Sequence, residues 1–207
     1  MALNPGYNDH VFINCPFDED YAPLLQAIVF TVYRCGFVPV SALIEEDSSY
    51  NRLDKIISWI KKCRYAIHDI SRIETGKKGY PRFNMPFELG IFFGAKRFGN
   101  DRQKSKVALI FERDKFSYQQ YISDLNGVDI KAHNKNPLQI IRGIRNWLRS
   151  ASRRTTIPGD IILVNEYQEF IARLPEIVAN AGFSISSIPF NDFCQIVEEA
   201  IREKIKK

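Results

Sequence analysis

Residues 83–95 read FNMPFELGIFFGA and carry a single charged side chain, Glu88, in an otherwise apolar pattern. Asn84 is a residue type that commonly starts helices, and the apolar side chains after it recur all around a helix. Gly90 and Gly94 lie on one stripe of that helix and predict close approach to a neighbouring element. The segment therefore predicts a buried helix with a carboxylate, Glu88, in its first turn.

Glu88 has two explanations at this position. A buried carboxylate is costly unless it is paired or used, and loss of water raises its pKa toward the range useful in catalysis. Alternatively, Glu88 is a favourable anion near the N-terminus of its own helix. The order of the elements around Glu88 favours the functional explanation.

That order is an alternation of short apolar runs with helical patterns. It predicts an α/β fold in which about five strands form a doubly wound parallel sheet. Pro39 indicates that the second strand lies at an edge or near its own end. The expected strands are residues 10–14, 37–43, 65–70, 106–111 and 128–130, and the expected helices follow Leu24 to Gly36, 51–63, the Glu88 segment, 117–125 and Pro137 onward.

The chain beyond the α/β pattern has a different organisation. A turn-rich break at 155–160 precedes two amphipathic patterns, one at about 165–181 and one from Asn191 onward. We expect a helical hairpin that packs on the α/β body or on a partner. The expected division is an α/β domain over residues 1–152 and a small helical extension over residues 153–207.

Composition limits the class of protein further. The 207 residues carry a formal net charge of +5, with the excess concentrated near residues 145–154 and 202–207. Such clusters favour phosphate-bearing partners or simply complete helix ends. Basic and aromatic residues do not interleave, so a nucleic-acid partner is not expected.

The four cysteines are scattered without a CxxC pair or a histidine at metal spacing, so no metal site is expected. Free cysteines suit a reducing cytosol. The sequence shows no secretory leader and no apolar stretch long enough to span a bilayer. The expectation is a soluble, cytoplasmic protein without a membrane partner.

Parallel doubly wound sheets bind ligands outside the carboxyl ends of their strands, where strand order reverses. Three predicted loops leave those ends, at residues 14–20, 43–50 and 69–84. Glu88 follows the third loop by one turn. We therefore expect Glu88, Asp69 and the loop beginning at Asn14 to converge on one cleft.

These segments resemble known families. The strand at 11–14 with the acidic loop after it resembles the first strand and loop of TIR domains, and 43–50 stands where those domains have a mobile loop. Glu88 falls where enzymatic TIR domains keep a catalytic glutamate. The strings HDIS at 68–71 and FELG at 87–90 are equally similar to nucleoside 2-deoxyribosyltransferases. The resemblance covers residues 11–148 and implies a flavodoxin-like fold.

Both families act at an N-glycosidic bond through an oxocarbenium-like state, which a nearby carboxylate stabilises or attacks. The resemblance gives Glu88 that catalytic role. Asp69 would assist proton transfer in the transferase, whereas in a TIR enzyme it would be structural or bind ribose. The residues expected to contact substrate are Asn14, Phe17 as a stacking surface for a base, Asp18, Ser71, Arg82 as a phosphate contact, and Asn84.

Three functions remain open from the sequence. The first is cleavage of NAD, as substrate rather than cofactor, to nicotinamide and linear or cyclic ADP-ribose; the TIR resemblance implies a role in bacterial anti-phage defence. The second is a deoxyribosyltransferase or N-glycosidase acting on nucleosides or nucleotides. The third is a non-catalytic TIR scaffold that senses a nucleotide. Self-association is expected for the TIR alternatives.

The histidines are given no catalytic role. His68 lies on a predicted buried strand, where a hydrogen-bonded core histidine is expected. His10 lies at the edge of a predicted strand, and His133 lies in a predicted loop.

Overall fold

The computed structural model describes residues 5–44, 47–73 and 83–205 and contains a five-stranded parallel sheet. Its order, β2-β1-β3-β4-β5, confirms the predicted doubly wound, flavodoxin-like α/β fold. Strand order reverses between β1 and β3, so a crevice is expected outside their carboxyl ends. The strands are β1 His10–Asn14, β2 Val38–Val40, β3 Tyr65–Asp69, β4 Val107–Glu112 and β5 Lys131–Ala132.

Helices cover both faces of this sheet because its strands alternate apolar side chains between the two faces, which together carry three apolar clusters. Val11 and Ile13 of β1 face one cluster, and Phe12 between them faces another. The helices are α1 Ala22–Arg34, α2 Arg52–Lys62, α3 Asn84–Phe98, α4 Asp101–Lys104, α5 Pro137–Ser152, α6 Asp160–Asn180 and α7 Phe190–Ile205. No helix in the described ranges is long and apolar enough to cross a membrane.

The C-terminal helices α6 and α7 pack on the α/β body, in the same core as α1 and α5. Phe30 of α1 stacks on Phe170 of α6 with ring centroids 5.4 Å apart. Arg34 of α1 forms a salt bridge of 2.6 Å with Glu166 of α6. The hairpin is therefore held to the body by both apolar and ionic contacts.

Arginines near residues 145–154 also make contacts within the chain. Arg145 donates to the carbonyl of Pro158 at 2.8 Å, in the connection that leads to α6. Arg154 donates to the carbonyl of Gly36 at 2.8 Å and forms an ion pair of 2.5 Å with Asp9. Some of the positively charged residues in this cluster therefore have partners within the chain.

Several predicted boundaries were wrong. The fifth strand is Lys131–Ala132 rather than 128–130, because Ile130 N–H bonds Val128 O at 3.0 Å and closes a tight turn there. Residues 117–125 form two short 3-10 turns instead of one helix. Helix α6 begins at Asp160, five residues before the predicted start, and β2 is shorter than predicted. The position of β2 at the edge of the sheet agrees with the prediction made from Pro39.

The predicted close approach at Gly90 and Gly94 was also wrong. A Cβ at either position would meet nothing within 4 Å in the described part of the chain. Helix α3 buries Met85, Glu88, Leu89 and Phe92, but it exposes Phe87 and Phe98, as the chain does Phe83 just before it. The helix is therefore buried on one face only.

A close approach does occur at Gly143 of α5, where a Cβ would lie 2.9 Å from the buried ring of Phe111. We expect Gly143→Ala to lower the free energy of unfolding by about 1–3 kcal/mol through overpacking. Gly94→Ala, on an open helix surface, should raise it by about 0.5–1 kcal/mol. Urea unfolding of both variants tests this pair, and equal effects would contradict it.

Candidate functional site

The loops after β1 and β3 meet at the point where strand order reverses. Asn14 and His68 are neighbours in the β1–β3 register, and Asn14 Nδ2 lies 2.9 Å from His68 Nδ1. The same Nδ2 donates to the carbonyl of Met85, in the first turn of α3, at 3.0 Å. Because a carbonyl only accepts, this bond fixes the orientation of the amide. Asn14 therefore ties α3 to the carboxyl ends of both strands.

Glu88 is the fifth residue of α3 and is buried, with 6% of its surface exposed. Its carboxylate forms no hydrogen bond with any residue that the structure describes. Burial raises the pKa of Glu88 from 4.5 to about 7, against the opposing charge of Arg52. Glu88 is thus a poorly solvated carboxyl group that changes charge near neutral pH.

The capping explanation for Glu88 is not supported. No acidic residue lies in the first turn of α3, so the prediction that Glu88 lies there was wrong. The stabilisation of anions by a helix N-terminus falls off within that turn. Asn84 is the first residue of the helix, but the helix has no side-chain cap.

The charges of three carboxylates act on the thiol of Cys15, which directly follows β1. The pKa of this fully buried thiol lies well above its ordinary value because of burial and of the charges of Asp69, Glu88 and Asp18. The structure therefore brings Glu88, Asp69 and the loop after Asn14 into one neighbourhood.

Asp69 is completely buried, and both of its oxygens are engaged. Tyr21 Oη donates to Oδ2 at 2.6 Å, and Ser71 N–H donates to Oδ1 at 2.8 Å. His133 Nε2 lies 3.1 Å from Oδ2 and 2.8 Å from Ser71 Oγ. Lys135 N–H donates to His133 Nδ1 at 3.0 Å, so the ring proton lies on Nε2.

This cluster contains serine, histidine and aspartate but is not a catalytic triad. A triad histidine uses one nitrogen for the nucleophile and the other for the carboxylate. Here Nε2 of His133 faces both Ser71 and Asp69. The geometry makes the cluster a buried brace that joins β3 to the loop after β5.

An ion pair spans the two loops at the crevice. Arg72, after β3, lies 2.5 Å from Asp18, after β1, and 3.8 Å from Asp20. The Arg72 side chain remains 34% exposed. Phe17 is 36% exposed and meets Phe190 of α7 edge to face, with centroids 6.2 Å apart. The rim of the crevice thus offers the Arg72 guanidinium and the Phe17 ring.

Other candidate residues have mixed outcomes. Arg82 lies outside the described residues, and Asn84 is exposed. His68 is confirmed as a hydrogen-bonded core histidine: it is fully buried, and burial together with the charge of Lys106 lowers its pKa to about 3.

Sequence reasoning missed Tyr21, Arg72 and His133. His133 directly follows β5, so a correct boundary for that strand would have placed it at the carboxyl edge. Arg72 lies in the predicted third loop, whereas no local pattern signals that Tyr21 reaches Asp69.

The raised pKa of Glu88 predicts a pH-dependent stability difference. The unfolded chain loses this proton near 4.5 and the folded chain near 7, so Glu88 destabilises the fold increasingly as pH rises between those values. Gln does not titrate. The unfolding free energy of Glu88→Gln, relative to the parent, should therefore rise by about 1–3 kcal/mol from about pH 5 to about pH 8. Urea unfolding at both pH values tests this, and a constant difference would contradict it.

Comparison of the chain with protein-family models, curated proteins and solved structures finds no match.

Proposed function

We propose that this protein cleaves the N-glycosidic bond of a nucleotide, with NAD as the first substrate and nicotinamide and ADP-ribose as products. The observation that carries the proposal is Glu88, a buried carboxyl group without a hydrogen-bond partner in the described chain. Structural carboxylates in proteins are normally paired. A carboxylate with a raised pKa and no hydrogen bond in the described chain, beside the crevice of a doubly wound sheet, is a candidate for chemistry.

The proposed reaction uses the ionised form of Glu88. Breaking the bond between ribose and base builds positive charge on the sugar, and a carboxylate in a dry site stabilises that charge or forms a covalent adduct with the anomeric carbon. Water then completes hydrolysis. Asn14 supports the site by fixing the first turn of α3 against β1 and β3.

The surroundings of Asp69 favour NAD over a deoxynucleoside. Nicotinamide in NAD is already cationic and leaves as a neutral base, so no general acid is required. A nucleoside base needs a proton donor as it leaves. Asp69 is fully buried and bonded by Tyr21, Ser71 and His133, which suits a positioning residue better than a proton carrier.

Arg72 is a described cation suited to meet a substrate phosphate. It is partly exposed and lies between the loops that follow β1 and β3. Phe17 offers a partly exposed ring at the same rim. We propose that the two contact the phosphates and a base, respectively.

Free-base release tests the proposal. Concentrated protein is incubated separately with NAD and with a panel of deoxynucleosides, and the products are separated by chromatography. Nicotinamide release from NAD is the expected result. Release from deoxynucleosides alone would favour the transferase, and no release from either, even under crowding that promotes self-association, would favour a non-catalytic module.

A further inference from the structure

A groove of about 460 Å³ lies between the start of α1 and the segment that joins α6 to α7. Its apolar walls come from both sides and include Leu25 of α1, Ile188 of the joining segment and Phe193 of α7. This volume is in the range of small-molecule sites. The C-terminal hairpin therefore forms one wall of a cavity that the α/β body alone would lack.

The groove adjoins the candidate site through Asp18. This residue lines the groove, pairs with Arg72, and adds to the charge around Cys15 beside Glu88. Asp18 therefore places the Arg72 guanidinium at the edge of the groove.

The lining fits a flat heteroaromatic ring with an amine. The partly exposed ring of Phe17, held edge to face by Phe190, offers a stacking surface. Gln26 lines the groove and forms no hydrogen bond within the described chain. Its amide offers one donor and one acceptor, which match N7 and the N6 amine of adenine. The Glu19 carboxylate at the groove disfavours an anionic occupant.

We propose that this groove binds an adenine base, with Phe17 stacking on the ring and Gln26 reading its amino edge. The inference rests on the proposed function, because it assigns the groove to the adenine half of a dinucleotide whose other base leaves at Glu88. It also makes the C-terminal hairpin a determinant of substrate choice.

Isothermal titration with adenosine and inosine tests the inference, in the Glu88→Gln background so that no bond is broken. Ser186 is exposed and lines the groove, whereas its exposed neighbour Ser187 does not. Ser186→Trp should fill the groove and weaken adenosine binding by about tenfold or more, and Ser187→Trp should leave it unchanged. Inosine, which lacks the amine, should bind about fivefold more weakly than adenosine, and Gln26→Leu should remove that preference.

Equal affinities of the two tryptophan variants, no preference for adenosine, or no adenosine binding at all would overturn the inference. These outcomes are separable from those of the proposed function. If Ser186→Trp does not affect nicotinamide release, the proposed function is supported and the assignment of adenine to the groove is not. If Ser186→Trp blocks adenosine binding but the protein releases no base from NAD, the groove assignment is supported and the proposed function is not.

Discussion

Replacing Glu88 by glutamine is expected to reduce nicotinamide release from NAD by about 10³-fold, the scale of losing a group aimed at developing charge. The substitution keeps the shape of the side chain but removes the negative charge. Because Glu88 forms no hydrogen bond within the described chain, the variant should fold normally. Initial rates of release at saturating NAD measure the effect, and circular dichroism checks the fold.

Two controls sharpen this result. Glu88→Asp keeps the charge but withdraws it by one methylene, and we expect an intermediate loss of about 10–10²-fold. Glu203→Gln makes the same chemical change on an exposed part of α7 and should have no effect. Retention of more than about a tenth of the parent rate by Glu88→Gln would remove Glu88 from the chemistry.

Replacing Asp69 by leucine is expected to lower the free energy of unfolding by about 3–5 kcal/mol. The carboxylate accepts from Tyr21 and Ser71 and faces His133, all in the interior. Leucine fills similar space but leaves those donors without an acceptor. Urea unfolding of the full chain measures the loss.

Tyr21→Phe provides the graded counterpart because it removes one of these bonds and keeps the ring. We expect a loss of about 1–2 kcal/mol for this variant. The brace would be refuted by Asp69→Leu unfolding within about 1 kcal/mol of the parent, or by Tyr21→Phe having no effect. The second variant keeps the test valid if Asp69→Leu does not fold.

Much of the α/β body was predictable because its periodic segments are long or buried. The strand at residues 10–14 and the helix opening at Pro137 appear where the sequence placed them. Pro39 indicated an edge strand because proline cannot donate to a sheet ladder. In these segments local pattern and tertiary packing favour the same structure.

Prediction failed where tertiary contacts decide. The two-residue strand β5 exists because Lys131 and Ala132 pair with Phe111 and Glu112, and its pattern is too short to read locally. The helix of Glu88 looked buried all round, yet a Cβ at either of its glycines would meet no described atom within 4 Å.

The candidate site was predictable only in part. Parallel topology alone brings the ends of β1 and β3 together, so the convergence of Asn14, Asp69 and the start of α3 could be predicted from element order. Arg72 pairs with Asp18 across 54 positions, and Phe17 meets Phe190 of the C-terminal hairpin. Such partners depend on the folded arrangement of distant segments, which no local spacing encodes.

The pH dependence of nicotinamide release tests the central claim most directly, because it asks whether the ionised form of Glu88 performs the reaction. With a pKa of about 7, the rate under subsaturating NAD should rise about tenfold per pH unit below that value and level off above it. Glu88→Gln should show only a low residual rate without this rise. A rate that is flat or falls from about pH 5 to about pH 8, or no release at any pH, would contradict the account.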